Sequence, residues 1–383
     1  MTDLNSPARI FAGAMSGTSC DGVDVALVKI RGHGFAMQAD LLLHVANDYP
    51  PSLRNRILDV RNRGDVALSE LAKLAADVSE QYALAVNKAL QISGHAADSI
   101  AAIAAHGQTL FHQPPFTLQW LDPSLLAAKT GIDVVSDFRR ADCAAGGQGA
   151  PLVPFADFIL FGQTGKTRVL LNIGGIANIT FLPASGVITD IIAFDTGPGN
   201  CIMDHLMRQA YPDKNYDEGG AIAKTGRVRD DLIEHFLADD FVQKKWPKST
   251  DGPAMIAIFE NARQKTGQTL SLQDQLATAS EISCRLIRMA IDALPSIPTE
   301  IIASGGGTRN VHLWDRLRAA HADSPTRIST TDNYQIPSSA KEAMAFALLG
   351  AATLDRFPSN IPAATGASNS VVLGSISPKP TSV

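Results

Sequence analysis

The chain is poor in cysteine, and its few cysteines are not arranged to bind a metal. Cys20, Cys143, Cys201 and Cys284 lie far apart, and no two form the CxxC pair typical of structural zinc sites. This spacing argues against a structural zinc centre. A chain of 383 residues with 45% hydrophobic side chains has enough core to fold without disulfides. We therefore expect a reduced, cytoplasmic protein.

The sequence also lacks a strongly basic region and a long hydrophobic run. Its formal net charge is −5, and its densest positive clusters are the isolated pairs at 139–140 and 244–245, so nucleic acid is not an expected partner. The N-terminal "MTDLNSPARIF" has no basic head followed by an apolar stretch, and it does not predict a signal peptide. The longest apolar run, at 343–354, is too short to span a bilayer. It predicts a buried helix and no membrane partner.

Two common nucleotide-binding motifs are missing: there is no GxxxxGK[ST], and no GxGxxG follows the first strand. Instead, apolar segments flank glycine-containing turns. Residues 9–30 and 169–182 each have the pattern of strand, turn and strand, and the second turn contains Gly174 and Gly175. The two hairpins start about 160 residues apart, which is a weak internal repeat. They predict two similar α/β lobes.

Helical periodicity predicts a long helix over 68–90 and further helices over 201–210 and 275–294. Asn310 is placed to cap the helix that follows it. Residues 371–377, "VVLGSIS", are typical of a late edge strand. Strands and helices thus alternate along most of the chain, which favours an α/β fold.

The first turn carries far more polarity than turning requires. In "SGTSCDGVD", residues 16–24, Gly17 and Gly22 leave room for a phosphate, backbone N–H groups form a nest for anions, and hydroxyl side chains add donors. Asp21 and Asp24 would repel bare phosphate, so we expect Mg²⁺ to mediate. The alternative is a hairpin whose hydroxyls only satisfy the turn.

Asp195 ends an apolar segment, and Gly197 and Gly199 follow it in "FDTGPGN". A carboxylate at the end of a strand beside a glycine-lined space suits a general base. The alternative is an aspartate that caps the next helix. The triple glycine at 305–307 follows a strand and precedes a helix, which favours close approach of a flat ligand or a phosphate.

His106 is predicted at another strand end, and Gln108 and Thr109 add polar groups beside it. These three residues are compatible with a polar ligand, although a lone histidine at a strand end is commonly structural. Gln148 presents an amide in the loop "AAGGQGAP". It would suit sugar hydroxyls, and it would equally suit a simple turn.

The motifs together resemble those of the anhydro-N-acetylmuramic acid kinases. The resemblance covers about 12 to 354 and rests on "GAMSGTSCDGVDVAL", "AAHGQT", "SDFRRADCAAGGQGAPLVP", "NIGGIANIT", "FDTGPGN", "YDEGGAIAKTG", "ASGGGTRN" and "KEAMAFALLG". It implies a two-lobed actin-like fold of the ribonuclease H-like class, with ATP in a central cleft. The expected lobes are 1–135 with about 355–383, and 136–354. The segment "WPKSTDGPAMIAIF" resembles the family only loosely, so the resemblance implies no role for it.

The same resemblance implies a set of site residues. Asp195 matches the catalytic aspartate, and Asp21 is the expected Mg²⁺ ligand. The expected ATP-binding residues form the first turn, the second turn and the triple glycine: Gly17, Thr18, Ser19, Cys20, Asp21, Gly22, Val23, Asp24, Gly174, Gly175, Asn178, Gly305, Gly306 and Gly307. The expected substrate-side residues are His106, Gln108, Thr109, Gln148 and Glu342.

The implied reaction uses ATP and Mg²⁺. Asp195 activates a water that attacks C1 of 1,6-anhydro-N-acetylmuramic acid, and O6 receives the γ-phosphoryl group. The resemblance also implies a homodimer. Two other functions stay open from the sequence: an ordinary sugar kinase of the same superfamily, in which the aspartate deprotonates a free hydroxyl, and a non-enzymatic actin-like ATP switch such as a chaperone or filament subunit.

Overall fold

The computed structural model describes residues 7–245 and 248–381, which form two compact units. Unit 1 comprises Met1–Phe161 and Ser339–Val383, and unit 2 comprises Gly162–Ser338. These limits differ from the lobe limits expected from the sequence, because 136–161 and 339–354 belong to unit 1. The reason is packing: a strand over 134–136 pairs within the first sheet, and the apolar helix near 343–354 lies against that sheet.

The strands alternate with helices along the chain, as the sequence predicts. The strands are β1 Arg9–Met15, β2 Gly22–Arg31, β3 Gln38–Asp48, β4 Ile100–Ala105, β5 Gln108–Gln113, β6 Phe116–Trp120, β7 Val134–Ser136, β8 Arg168–Ile173, β9 Ile176–Leu182, β10 Ile192–Pro198, β11 Glu300–Ser304, β12 Arg327–Thr330 and β13 Ser375–Ser377. The helices are α1 Pro51–Asn62, α2 Leu68–Ser93, α3 Pro123–Thr130, α4 Arg140–Ala144, α5 Val153–Phe161, α6 Cys201–Ala210, α7 Asp230–Leu237, α8 Asp240–Gln243, α9 Gly252–Lys265, α10 Leu272–Asp292, α11 Val311–Ala320, α12 Lys341–Leu354 and α13 Pro362–Thr365.

The two units contain sheets of the same topology. In unit 1 the order is β13-β7-β4-β1-β2-β3, and in unit 2 it is β10-β9-β8-β11-β12. In each, three antiparallel strands are followed by two parallel ones. Unit 1 adds β13 as an antiparallel edge strand. This duplication confirms the predicted repeat and the actin-like, ribonuclease H-like α/β fold class.

Helix α12 is the central helix of unit 1. Every residue from Ala343 to Thr353 is buried, as its uninterrupted apolar sequence requires. The helix lies so close to β1 that a Cβ on Gly13 would be 1.8 Å from the carbonyl oxygen of Ala343. This contact sets the first turn of α12 beside the turn between β1 and β2.

Most predicted elements are confirmed, with one informative difference. Helix α2 covers the predicted 68–90, α6 covers 201–210, and Asn310 caps α11 by accepting a hydrogen bond from the Leu313 N–H at 3.0 Å. However, β10 does not stop at Asp195 but continues to Pro198, with an irregular register between Asp195 and Gly197. Asp195 therefore lies within the strand, immediately before a bulge.

The remaining global features concern cysteines and membrane spans. The four cysteines are buried free thiols. Within 7–245 and 248–381, no helix is long and apolar enough to cross a membrane.

Candidate functional site

The turn between β1 and β2 is held from beneath by a buried side chain. Gln108 is fully buried; its Oε1 accepts a hydrogen bond from Ser16 Oγ at 2.7 Å, and its Nε2 donates to the Gly17 carbonyl at 3.1 Å. Cys20 is also fully buried, and its N–H donates to the Gly17 carbonyl at 3.2 Å. Buried contacts therefore fix the inner side of the turn, while the side chains of Thr18 and Ser19 are exposed on its outer side.

The two glycines of this turn serve different purposes. A Cβ on Gly17 would meet only Ser19 Oγ, at 3.6 Å, so the space above Gly17 is open to a ligand. A Cβ on Gly22 would lie 2.3 Å from the Asn47 carbonyl oxygen of β3. Gly22 is therefore required by strand packing, whereas Gly17 leaves open space at the turn.

A pocket of about 200 Å³ opens beside this turn, entirely within unit 1. It is lined by the turn, the end of β3 and the first turn of α12: Met15, Gly17, Ser19, Asp21, Gly22, Val23, Asp24, Ala46, Asn47, Asp48, Ser339 and Glu342. The N-cap residue of α12, Ala340, supplies no side-chain cap, so backbone N–H groups of that helix end are available to an anion. The pocket thus combines carboxylates with backbone donors.

The acidic residues of the pocket differ in their partners. The Asp21 side chain is 70% exposed and lies 3.8 Å from Arg54 Nε, measured to its Oδ1. Asp24 Oδ1 lies 2.8 Å from His44 Nε2. Burial among protein atoms raises the pKa of Glu342, although Lys341 and Arg139 oppose this, and the side chain reaches solvent through the pocket.

His106 is a structural part of this region. It is buried, its Nδ1 donates to the Gly107 carbonyl at 2.9 Å, and its Nε2 accepts from Arg139 Nη2 at 2.9 Å. Burial and the Arg139 charge hold the pKa of His106 well below its usual value, so the ring is neutral. Both ring nitrogens are occupied. The histidine therefore orients Arg139, which also donates to the Gly149 carbonyl at 2.8 Å.

The other two predicted substrate-side residues lie in different settings. Thr109 is half-buried on β5, and its Oγ1 accepts from Gln119 Nε2 at 3.4 Å. Gln148 has an exposed side chain, and its N–H donates to the Thr365 carbonyl at 2.8 Å. Buried Asp142 fixes the same loop by accepting from the Gly149 N–H at 2.8 Å.

In unit 2, four polar residues form a row across the sheet. Asp195 pairs with Asn178, Asn178 pairs with Asn172, and Asn172 pairs with Ser304 on successive strands. Directly paired residues project from the same face of a sheet. The row therefore places the predicted base beside Asn178, and it adds Asn172, which sequence reasoning missed.

The second glycine turn is open at its tip. A Cβ on Gly174 or Gly175 would meet nothing nearer than 3.5 Å. The carbonyls of both glycines accept hydrogen bonds from the N–H groups of residues 199–201, at the start of α6. The turn is thereby fixed by its carbonyl side, and ligand space remains above it.

The triple glycine is required mainly by packing. Cβ atoms on Gly305 and Gly307 would lie 2.6 and 2.3 Å from atoms of residues 172–173 on β8, whereas Gly306 has no neighbour within 4 Å. A short 3₁₀ turn over Gly306–Arg309 separates the glycines from α11, whose N-terminus Asn310 already caps. Gly306 is thus the open member of the three.

Asp195 is an acid of this sheet whose pKa is raised. Its Oδ2 accepts a hydrogen bond from the Thr250 N–H at 2.9 Å, and its own N–H donates to the Lys248 carbonyl at 3.0 Å. Burial raises the pKa of Asp195 to about 6, and the Thr250 N–H opposes that rise. A half-buried carboxylate with this pKa and one oxygen fixed can accept a proton near neutral pH.

The sequence predicted no site role for three of these residues: Arg139, Asn172 and Thr250. Arg139 lies within a quoted motif, but its contact with His106 joins residues 33 positions apart. Thr250 lies in the segment to which no role was given. Alternation along "LLNIGG" could have indicated that Asn172 shares a face with Leu170. In the described part of the chain, no group of three or more His, Cys, Asp or Glu side chains is arranged to hold a metal ion.

A family model and related sequences identify the same family. A family model for anhydro-N-acetylmuramic acid kinase matches residues 9–379. An anhydro-N-acetylmuramic acid kinase of Gloeobacter violaceus is 39% identical over 376 residues, which is 96% of this chain and 98% of the relative. One of Idiomarina loihiensis is 40% identical over 368 residues, covering 95% and 97%. Among solved structures, an activator of 2-hydroxyisocaproyl-CoA dehydratase from Clostridium difficile with bound ADPNP matches with a TM-score of 0.45 and 12% identity over 90% of this chain and 97% of that chain. That likeness is too distant to indicate function.

Proposed function

The chain belongs to the anhydro-N-acetylmuramic acid kinase family, and from this membership we propose that it converts 1,6-anhydro-N-acetylmuramic acid, water and ATP to N-acetylmuramic acid 6-phosphate and ADP. The reaction couples hydrolytic opening of the anhydro ring to phosphoryl transfer. Its place is peptidoglycan recycling and amino-sugar catabolism. The observation that carries the proposal is Asp195, a half-buried carboxylate with one oxygen fixed and a pKa of about 6.

Asp195 is the general base of this reaction. It removes a proton from water, and the water oxygen forms a bond to C1 of the sugar. The C1–O6 bond breaks, and its electron pair stays on O6. O6 then bonds to the γ-phosphorus, and the bond to the bridging oxygen breaks with its electron pair left on ADP. The proton on Asp195 passes to solvent.

The coupling explains why one carboxylate suffices. In ordinary glycoside hydrolysis a second carboxylic acid protonates the leaving oxygen. Here the phosphoryl group captures the charge that develops on O6. Phosphoryl transfer itself requires mainly positioning and charge neutralisation. A general base is most effective when its pKa lies near the working pH, and a pKa of about 6 meets that condition.

The first turn binds the ATP phosphates in this proposal. Gly17 leaves open space, the exposed hydroxyls of Thr18 and Ser19 supply donors, and the start of α12 adds backbone N–H groups. Cys20, Gly22 and Val23 support the turn from within the core and the sheet. Gly174, Gly175 and Asn178 at the second turn, and Gly306 of the triple glycine, are the nucleotide-binding residues that we propose in unit 2.

The pocket residues fit a Mg²⁺ ion. Asp21 and Asp24 line the same pocket with partly exposed carboxylates, which would repel a bare triphosphate. Mg²⁺ takes one or two carboxylates together with water and phosphate oxygens. We assign Asp21 as its first ligand and Asp24 as the alternative. When bound, the ion neutralises charge on the phosphates.

The sugar side of the site is assigned to Glu342, Thr109 and Gln148. Glu342 lines the pocket with an exposed side chain, so its carboxyl group can form a hydrogen bond with a sugar hydroxyl or amide. His106 and Gln108 are buried with their polar atoms occupied. We therefore propose an indirect role for both residues. His106 positions Arg139, and Gln108 positions the first turn.

The test is an incubation of the protein with ATP, Mg²⁺ and the anhydro sugar in ¹⁸O-water. We expect a 6-phosphorylated product that carries the label at C1, and we expect Asp195→Asn to form none. Unlabelled product, or free N-acetylmuramic acid phosphorylated as fast as the anhydro sugar, would indicate an ordinary sugar kinase. ATP-dependent pelleting without sugar turnover would indicate a filament protein.

We further propose a homodimer, which rests on the family resemblance alone, and a cytoplasmic location, in keeping with four free thiols. Light scattering of the purified protein measures the oligomeric state. A mass equal to that of one chain across micromolar concentrations would contradict the dimer.

A further inference from the structure

Residues 248–251 lie directly alongside Asp195 in unit 2. The Asp195 N–H donates to the Lys248 carbonyl at 3.0 Å, and the Thr250 N–H donates to Asp195 Oδ2 at 2.9 Å. The first contact holds the backbone of β10 at its bulge, and the second holds the carboxylate. Together they leave Asp195 Oδ1 as the oxygen that is not engaged by this segment.

The segment is fixed at both ends. Lys248 Nζ donates to the Val242 carbonyl at 2.8 Å and to the Phe241 carbonyl at 3.2 Å, at the end of α8. Asp251 caps α9, because its carboxylate accepts from the Ala254 N–H at 2.8 Å. A segment tied to one helix end before Thr250 and to another after it holds Thr250 in a fixed position.

The Thr250 hydroxyl is a polar atom without a partner. Its Oγ1 is buried, and among the residues that the structure describes nothing forms a hydrogen bond with it. A buried hydroxyl left unsatisfied is unfavourable and therefore marks a place for water or a ligand. Covalent geometry keeps Oγ1 within about 4 Å of the Thr250 nitrogen. That nitrogen is 2.9 Å from Asp195 Oδ2, so the hydroxyl lies no more than about 7 Å from this carboxylate oxygen. One water bridges two such groups when they are about 5 Å apart.

We propose that Thr250 holds the water that Asp195 activates. The N–H of Thr250 fixes Asp195 Oδ2, Oδ1 accepts one hydrogen of the water, and Thr250 Oγ1 accepts the other. A lone pair of the water then points away from both groups. This inference rests on the proposed function. As the proton passes to Asp195, the water oxygen bonds to C1 and the C1–O6 electron pair leaves with O6.

The experiment compares Thr250→Val with Thr250→Ser. Valine keeps the shape and the backbone N–H but removes the hydroxyl, whereas serine keeps both polar groups. We expect Thr250→Val to lower kcat about tenfold or more, in line with the loss of one group that orients the reacting atoms. The KM for ATP should stay within about twofold. Thr250→Ser should retain at least about a third of the wild-type kcat, and exposed Ser249→Ala serves as the control with normal kinetics.

Two further measurements distinguish a catalytic from a structural role of the Thr250 hydroxyl. The melting temperature of Thr250→Val should stay within about 4 °C of that of the wild type, because valine keeps the packing and the N–H, and only the hydrogen bond between the hydroxyl and the water is lost. The acidic limb of its pH–rate profile should not move, because the N–H to Asp195 remains. A kcat within twofold of wild type would overturn the inference. So would equal loss in the serine variant, or a kcat loss that accompanies a fall in melting temperature of more than about 4 °C.

Failure of the proposed function gives a different pattern. If Asp195→Asn retains turnover, or the wild type incorporates no ¹⁸O, the base assignment itself fails. If the wild type incorporates label and Asp195→Asn is inactive, only the Thr250 variants decide this inference.

Discussion

Replacing Asp195 with asparagine should abolish turnover and make the protein more stable at neutral pH. Burial raises the pKa of Asp195 from 3.8 to about 6, so the folded state holds this proton more tightly than the unfolded state does. Each pKa unit corresponds to about 1.4 kcal/mol, so the ionised carboxylate costs the folded state about 3 kcal/mol. Asparagine carries no charge and can still accept the Thr250 N–H.

The sign of the pH dependence follows from the same shift. Above pH 6 the folded wild type carries the full penalty, and the penalty disappears as the pH falls below about 4, where both states are protonated. The stability gain of Asp195→Asn should therefore be greatest near pH 8 and vanish near pH 4. At about 2–4 °C per kcal/mol, the gain corresponds to about 6–12 °C in melting temperature.

The assay is thermal unfolding from pH 4 to pH 8, with turnover measured on the same samples. Asp204→Asn is the matched control, because burial also raises the pKa of Asp204 to about 6 although it is not placed in the reaction. We expect Asp204→Asn to gain stability in the same way while keeping its activity. Wild-type kcat/KM should fall with an apparent pKa near 6 on the acidic side. A pH-independent difference between Asp195→Asn and wild type, or an active Asp195→Asn variant, would refute the reasoning.

Three further predictions concern unit 1. Gly13→Ala should lower the free energy of unfolding in urea by about 3 kcal/mol or more, because its methyl would lie 1.8 Å from the α12 backbone. The control Gly64→Ala, whose methyl meets no atom within 4 Å, should change that free energy by less than about 0.5 kcal/mol. Equal effects of the two substitutions would contradict the close packing of Gly13 against α12. Asp21→Ala should raise the Mg²⁺ concentration needed for half-maximal activity several-fold, and an unchanged magnesium titration would remove its role as ligand. Lys341→Met should destabilise by about 3–5 kcal/mol because it leaves Asp157 buried without its partner at 2.9 Å; adding Asp157→Leu should recover most of that loss, and no recovery would mean that the pair is not the cause.

Local pattern was enough to predict the elements and the repeat. Apolar segments around glycine turns predicted both hairpins, and helical periodicity predicted α2 to within a few residues. The proposed role of Asp195 follows from a carboxylate that precedes two glycines. Its position within β10 does not, because a bulge between Asp195 and Gly197 lets the strand continue, and a bulge has no period in the sequence.

Contacts between distant residues were not accessible in the same way. Nothing in "AAHGQT" indicates that both nitrogens of His106 are occupied, since one partner is Arg139, 33 residues later. Nothing near Asp195 indicates that Thr250, 55 residues later, donates to its carboxylate. Sequence patterns report which residues share a face of one element, whereas these roles depend on which elements meet.

The discontinuity of unit 1 affects the order in which the protein can fold during synthesis. Strand β1 is made first, but its packing partner α12 follows only after all of Gly162–Ser338. At about 5–20 residues per second, the ribosome needs ~9–35 s to make that insertion, which is long enough for many domains to fold. Unit 2 can therefore mature on the nascent chain while the sheet of unit 1 still has an uncovered apolar face. Helix α12, which emerges late, completes the first sheet to be made, so a truncation within α12 would leave the oldest part of the chain open to aggregation and to chaperones.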